Sequence, residues 1–401
     1  MKLTRNQMMW LVFCINVGLP IYLSGTMKVT KQDAWFSVIL AGVAGFIVLA
    51  LAVRNAKYFP GQTFIEFSQE VLGKWVGRFW VLPYLAYWMI SLGNTLRSVV
   101  DFIIMALFRE TPLTAVVIVL FVVVAFAVAT NGINTIARCA ELMGPFIVLM
   151  FFCIYILNLS NLDFAFLFPI AADTSPLNMA RGTFTMMEMY GDSYLLVLVY
   201  GFLNKQKGVT PKIYVGFVLA VGLMVLTTTF ILLTFGPGLA AKMQYPLYEL
   251  VRYIEVGEFL QRLEVVMIAL WVCSAFIKLG FYLFCLSYGT AQWLGIKQWK
   301  LLIIPISVLA VWAAGLTSSL LTTRALLLRY IDPIVLPLLY LVLPVVLWIM
   351  ILLHRRKQQK AQTGVVPKIP KVSLGWKWSG VTLLILMLSM YYYVYIHYFK
   401  V

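Results

Sequence analysis

Ten or eleven apolar stretches, each long enough to cross a bilayer and separated by short loops, constrain this chain more than any other feature. A membrane-spanning helix takes about 20 residues, and the stretches run at about 8–27, 35–53, 79–107, 113–129, 135–158, 178–203, 213–236, 264–292, 301–321 and 331–353. A basic linker at 354–375 precedes an eleventh within 376–401. No single soluble core holds so many apolar runs. The 401 residues are 62% hydrophobic and 11% charged, against about 45–50% and 25% in soluble domains. A soluble enzyme, a secreted disulfide scaffold and a disordered chain are excluded, and an all-α polytopic membrane protein remains. The leading Met-Lys-Leu-Thr-Arg-Asn-Gln has no small-residue cleavage site behind it, so the first stretch reads as a retained span.

The formal charge of +16 does not point to nucleic acid, because most Lys and Arg lie in the short loops. Counted over alternate loops, one side of the membrane carries roughly twice as many as the other. The richer side includes the N-terminus and the linker after the tenth span, which predicts a cytoplasmic N-terminus. Cys14, Cys139, Cys153, Cys273 and Cys285 all lie in or beside apolar runs without a CxxC pair, so the sequence calls for no disulfide, metal or cofactor. Neither a catalytic motif nor a nucleophile–base pair is apparent, so no enzyme is expected.

Two amphipathic segments interrupt the spans. Residues 63–75 follow the second span, with Thr63 and Glu66 spaced as a capping box. Residues 247–262 follow the seventh span and carry Glu249, Arg252, Glu255 and Glu258 on their polar face. Each falls between spans two and three of a five-span half, on opposite sides of the membrane, which is the pattern of two inverted repeats at about 8–158 and 178–353. The first span of each half is also interrupted, at Asn16-Val17-Gly18-Leu19-Pro20 and at Glu188-Met189-Tyr190-Gly191-Asp192-Ser193. Glycine costs about 1 kcal/mol inside a helix and proline about 3. A matched pair of such breaks points to a binding site at the bilayer midplane, with freed backbone at Asn16–Pro20 and Tyr190–Ser193 meeting the ligand.

Charges at membrane depth cost about 2.5–3.5 kcal/mol each on insertion scales and need a partner or a task. Arg97 and Asp101 stand four apart on the third span, either as an internal salt bridge or as a polar lining that touches a charged ligand or gates its path. Glu188 and Asp192, also four apart, need a cation, a shared proton or a partner such as Lys278. Lys278 is about 20 Å of helix from either end of its span, too far to reach an interface. With Ser274 it falls where spans one and eight of such a fold can hold sodium, so its ammonium would stand in for the ion or exchange a proton. Arg138 and Glu141 read as a capping or interfacial pair at the start of span five.

Several stretches together resemble the spore germination B-subunit permeases of the amino acid–polyamine–organocation superfamily. They are Gln32-Asp33-Ala34-Trp35, Phe59-Pro60, Leu72-Gly73-Lys74, Gly132-Ile133 through Ala137-Arg138 to Glu141, Pro246 leading to Arg262-Leu263-Glu264, Trp271 and Ile277-Lys278. The resemblance runs from about residue 4 to 353. It implies the five-plus-five inverted-repeat, LeuT-like fold, here with an extra C-terminal transmembrane helix. It also implies a receptor subunit in the spore inner membrane that binds a small nutrient, often an amino acid, and works with an A-type membrane subunit and a C-type lipoprotein. The same residues would serve a proton-coupled amino-acid permease.

Overall fold

The computed structural model describes residues 2–17, 21–108, 110–170, 174–203, 208–254, 263–315 and 332–363, and these are helical almost throughout. Span one is described in two stretches, α1 (Arg5–Val17) and α2 (Ile21–Thr30). Gly18 and Pro20 lie outside the described residues. Helix continues from Leu23 through a 3-10 turn at Lys31–Asp33 into α3 (Ala34–Lys57), 35 residues in all. One rod of that length would measure about 52 Å, far beyond the roughly 30 Å hydrocarbon layer. Lys31 at φ 49° breaks the helical path there, so α2 completes span one and α3 is span two.

The first half continues through α4 (Phe64–Leu72), α5 (Lys74–Ala106), α6 (Leu113–Asn131) and α7 (Ile133–Leu157). Span six is α8 (Pro176–Gly191), a 3-10 turn at Asp192–Leu195, α9 (Leu196–Val199) and a second 3-10 turn at Tyr200–Phe202. Then follow α10 (Val209–Ala240), kinked at Gly236 with φ 68°, α11 (Pro246–Arg252), α12 (Leu263–Leu294) and α13 (Ile303–Gly315). The last described pass joins α14 (Asp332–Pro337) through a π turn at Leu338–Val342 to α15 (Leu343–Thr363). Among the described residues seven helices are long and apolar enough to cross a membrane. Of the ten spans read from the sequence, one is described on either side of residues 18–20, six is divided by 3-10 turns, and nine is described only to Gly315. The linker beyond Thr363 and the eleventh helix lie outside the described residues.

Packing reveals the repeat. The two broadest helix–helix contacts are α1 on α10 and α3 on α8. In each, the first span of one half lies on the second span of the other, as a two-fold relation between halves requires. The third spans, α5 and α12, pack on each other. The α1–α10 contact is close enough that a Cβ on Gly216 would strike the Met9 backbone carbonyl, so only glycine serves there. Leu3 donates its N–H to the Phe202 carbonyl at 3.0 Å, placing the start of span one beside the end of span six. The two interrupted spans therefore run in opposite directions.

The amphipathic α4 forms as its sequence predicts. Glu66 Oε2 accepts from the Thr63 N–H at 2.8 Å, and Glu66 Oε1 accepts from Gln292 Nε2 at 3.1 Å. The Thr63 hydroxyl donates to Gln292 Oε1 at 2.7 Å, so the cap of α4 is also bolted to the end of α12. Thr63→Ala is expected to destabilise the protein by about 1 kcal/mol, read as a lowered thermal midpoint in detergent. Of the second amphipathic segment, α11 ends at Arg252 and residues 255–262 lie outside the described residues. The expected Arg138–Glu141 pair is not formed: the described ion pairs do not include it. α7 already begins at Ile133, after Gly132 at φ 60°, so the glycine sets the start of the helix. Arg138 lies more than a turn inside and is exposed.

Candidate functional site

The two interruptions meet in the interior. Asn16, in the last turn of α1, donates Nδ2 to the Val12 carbonyl at 2.8 Å, and its Oδ1 accepts from Ser193 Oγ at 2.8 Å. Both side chains are fully buried, so each polar atom needs its partner. Asp192 sits beside this link with Lys278 Nζ 2.8 Å from Oδ2, while the Tyr282 hydroxyl donates to Oδ1. The ion pair is almost fully buried, at 3% side-chain exposure for Lys278 and 9% for Asp192. Ser274, one turn before Lys278 on α12, donates to the Cys14 carbonyl at 3.3 Å. Spans one, six and eight are thus joined by four polar links.

This geometry corrects the sequence reading in two respects. Span six is not unwound at Tyr190–Ser193. Gly191 and Asp192 keep helical angles of (−61°, −28°) and (−55°, −21°), and the chain tightens into a 3-10 turn. Continued i→i+3 bonding leaves few backbone groups free for a ligand. Moreover, both oxygens of Asp192 are occupied by the protein's own donors, and Glu188 is a second buried carboxylate of span six. Glu188, one turn earlier on α8 and buried, accepts from Asn94 Nδ2 of α5 at a long 3.5 Å. Asn94 Oδ1 is buried with no donor among the described residues. The Tyr190 ring packs edge-on against Phe217 of α10 and fills the space over Gly45 of α3. Its hydroxyl has no partner among the described residues.

One turn beyond Asn94, Arg97 Nε bonds both oxygens of Asp101 at 2.9 and 3.0 Å, and Nη1 donates to the Ala314 carbonyl at 3.3 Å. Of the two readings of this pair, the geometry forms the internal salt bridge and adds a tie from α5 to α13. Val17, at the end of α1, borders an apolar cavity of about 20 Å³ with Phe151, Leu247, Trp271 and Ser274. That is room for about one water.

Sequence reasoning missed Tyr282, Asn94 and Tyr340. Tyr282 stands four residues after Lys278, on the same helix face, and that spacing was the signal available. Tyr340 caps the junction: a Cβ on Gly191 would run into its ring. It contacts Tyr87 edge-on at 6.0 Å, with Tyr194 at 6.4 Å. Tyr84 stacks on Tyr194 at 5.1 Å and donates to the Leu339 carbonyl at 2.7 Å.

Comparison with known proteins identifies the fold and its relatives. Residues 2–319 match the spore permease family, described as spore germination protein. Spore germination protein KB of Bacillus subtilis (strain 168) is 24% identical over 294 residues, 72% of this chain and 78% of the relative. Spore germination protein YndE of the same strain is 23% identical over 272 residues, 67% and 73% of the two chains. Spore germination protein GerQB of Bacillus cereus is 24% identical over 304 residues, 74% and 81%. Among solved structures, Mhp1, a nucleobase-cation-symport-1 family transporter in a closed conformation with bromovinylhydantoin bound, superposes with a TM-score of 0.62 at 11% identity. The match covers 84% of this chain and 78% of Mhp1. A Na+-coupled sialic acid symporter in a substrate-bound outward-open state gives 0.58 at 13% identity, covering 85% and 79%. The LeuT-like transporter fold is therefore shared.

Proposed function

We propose that this chain, which belongs to the spore germination protein family, is the membrane-embedded B subunit of a germinant receptor that binds a small nutrient such as an amino acid and thereby triggers germination. It would be a binding and signalling protein rather than an enzyme, in the spore inner membrane with its N-terminus cytoplasmic, assembled with an A-type membrane subunit and a C-type lipoprotein. The observation that carries this reading is the junction of the two interrupted spans, closed by Ser193–Asn16 and Asp192–Lys278. The chain supplies its own cation beside Asp192, so it reaches the closed arrangement with its own side chains. A ligand that prefers one arrangement of this junction shifts the population of the whole bundle, and a receptor needs no more than that.

The Glu188 carboxylate, with Asn94 of α5 beside it, suits an ammonium, which brings a positive charge and three donors. The small apolar cavity beyond Val17 widens, on this reading, to take the nutrient's side chain. Deleting the gene in a spore-forming host and recording germination against single amino acids, sugars and nucleosides tests the proposal directly. Loss of one response, restored by the wild-type gene, is expected. A normal germination panel would refute it. In the restored strain, Glu188→Gln should move the dose–response for an amine nutrient about ten- to hundredfold to higher concentration, the worth of one charged hydrogen bond. An unmoved curve would remove Glu188 from the site. The shared fold with two transporters favours one alternative, a proton-coupled amino-acid permease. Gradient-driven concentrative uptake in proteoliposomes would select it.

A further inference from the structure

Span two and the last described pass run side by side toward one end of the bundle, where two arginines are held in an unusual way. Asn55 Nδ2 of α3 donates to the Pro344 carbonyl of α15 at 3.1 Å. The Arg54 guanidinium lies over the Trp348 ring at 4.4 Å, and the Arg355 guanidinium lies over the Tyr58 ring at 4.8 Å. Each helix thus gives one arginine and receives one on an aromatic face. The order 54, 58 on α3 against 348, 355 on α15 shows that the two helices run parallel.

Neither guanidinium has a carboxylate within ion-pair distance, and neither makes a hydrogen bond, among the described residues. A guanidinium held over a ring by cation–π attraction keeps N–H donors for a further partner. Its donor fork matches the oxygens of a phosphate. Exposed Lys57 and Arg356 stand beside the pair, so the local field is strongly positive. Arg54 lies within a turn of the end of α3, and Trp and Tyr favour the level of the lipid headgroups. Two preset forks, uncompensated charge and headgroup depth coincide at one place.

We infer that the paired ends of α3 and α15 form a binding site for the phosphate of an anionic phospholipid, gripped by the in-plane donors of Arg54 and Arg355. Lipid in this cleft would fasten span two to the last pass. Span two also lies along α8, which carries Glu188, so the site abuts the moving parts of the junction without belonging to it.

The test uses the full-length protein purified in mild detergent, exposed to phosphatidylglycerol or phosphatidylcholine and read by native mass spectrometry. The wild type should retain phosphatidylglycerol and not phosphatidylcholine. Arg54→Gln with Arg355→Gln should lower retention about thirtyfold, the scale of two basic contacts to an anionic headgroup. Lys212→Gln with Lys297→Gln, an equal change of charge elsewhere, should leave retention unchanged. Arg54→Lys with Arg355→Lys keeps the charge but loses the fork, and should fall between wild type and the glutamine variant. This variant also serves if the glutamine variant does not fold. Equal retention by wild type and the arginine variants would overturn the site, as would equal loss in the distant lysine control. Displacement of the lipid by millimolar inorganic phosphate would overturn the lipid as its occupant.

Discussion

Lys278→Met is expected to strip most of the folded protein from the membrane fraction, and adding Asp192→Asn to the same chain is expected to bring it back. The single change leaves the Asp192 carboxylate buried at 9% side-chain exposure without its cation, an error that costs about 3–5 kcal/mol. Whole-protein stabilities run only about 5–15 kcal/mol, so the loss is a large fraction of the total. In the double variant the Asn carbonyl oxygen still accepts from the Tyr282 hydroxyl, and neither position 192 nor position 278 carries a charge. Fluorescence-detected size exclusion gives folded yield, and a thermal ramp in detergent gives the midpoint. Recovery of both in the double variant is the expected result, and equal damage in single and double variants would show that Lys278 is not held in place by Asp192. The pair also separates fold from function. If the recovered double variant binds no nutrient and triggers no germination, the ion pair belongs to the working mechanism. If it responds normally, the pair is a structural bolt.

Lys278 was legible because an uncompensated lysine deep in an apolar run has few physical solutions, and an acidic residue in another span is one of them. The inverted repeat was legible too, since two amphipathic segments on opposite sides of the membrane and two interrupted first spans leave a periodic trace in composition. The form of the interruption was not. Glycine at 191 permits both an unwound chain and a tight 3-10 turn, and only packing against Tyr340 selects between them. Tyr340 is about 150 residues away in sequence and sits on a π turn that no local pattern announces. Asn94 escaped notice because its significance lies in one oxygen left without a donor beside Glu188, a property of two helices and not of either. Arg138 and Glu141 read in the sequence as a capping or interfacial pair, and the start of that helix falls instead at Gly132 with its positive φ.

Gly191→Ala is expected to lower the thermal midpoint by several degrees and to blunt any nutrient response, through one methyl group. The Cβ would run into the Cε2 and Cδ2 edge of Tyr340, and the ring has little room to retreat. Tyr87 stands edge-on behind it, Tyr194 lies at its flank, and Tyr84 holds both Tyr194 by stacking and the π turn through the Leu339 carbonyl. Overpacking of this kind costs about 1–3 kcal/mol. Because the clash is with a side chain, a second substitution can relieve it. Tyr340→Leu alone removes aromatic contacts and also destabilises, but the double variant should be more stable than the sum of the two single changes predicts, by about 1 kcal/mol or more. Strict additivity in a double-mutant cycle would mean that residues 191 and 340 are not in contact. The coupling matters beyond stability. Gly191 adjoins Asp192 at the interruption of span six, and Tyr340 lies in the last described pass, so a change at the junction cannot turn span six without moving that pass. An excess stability in the cycle, together with a lost response in Gly191→Ala that returns in the double variant, would identify this contact as the route by which the junction reaches the far side of the bundle.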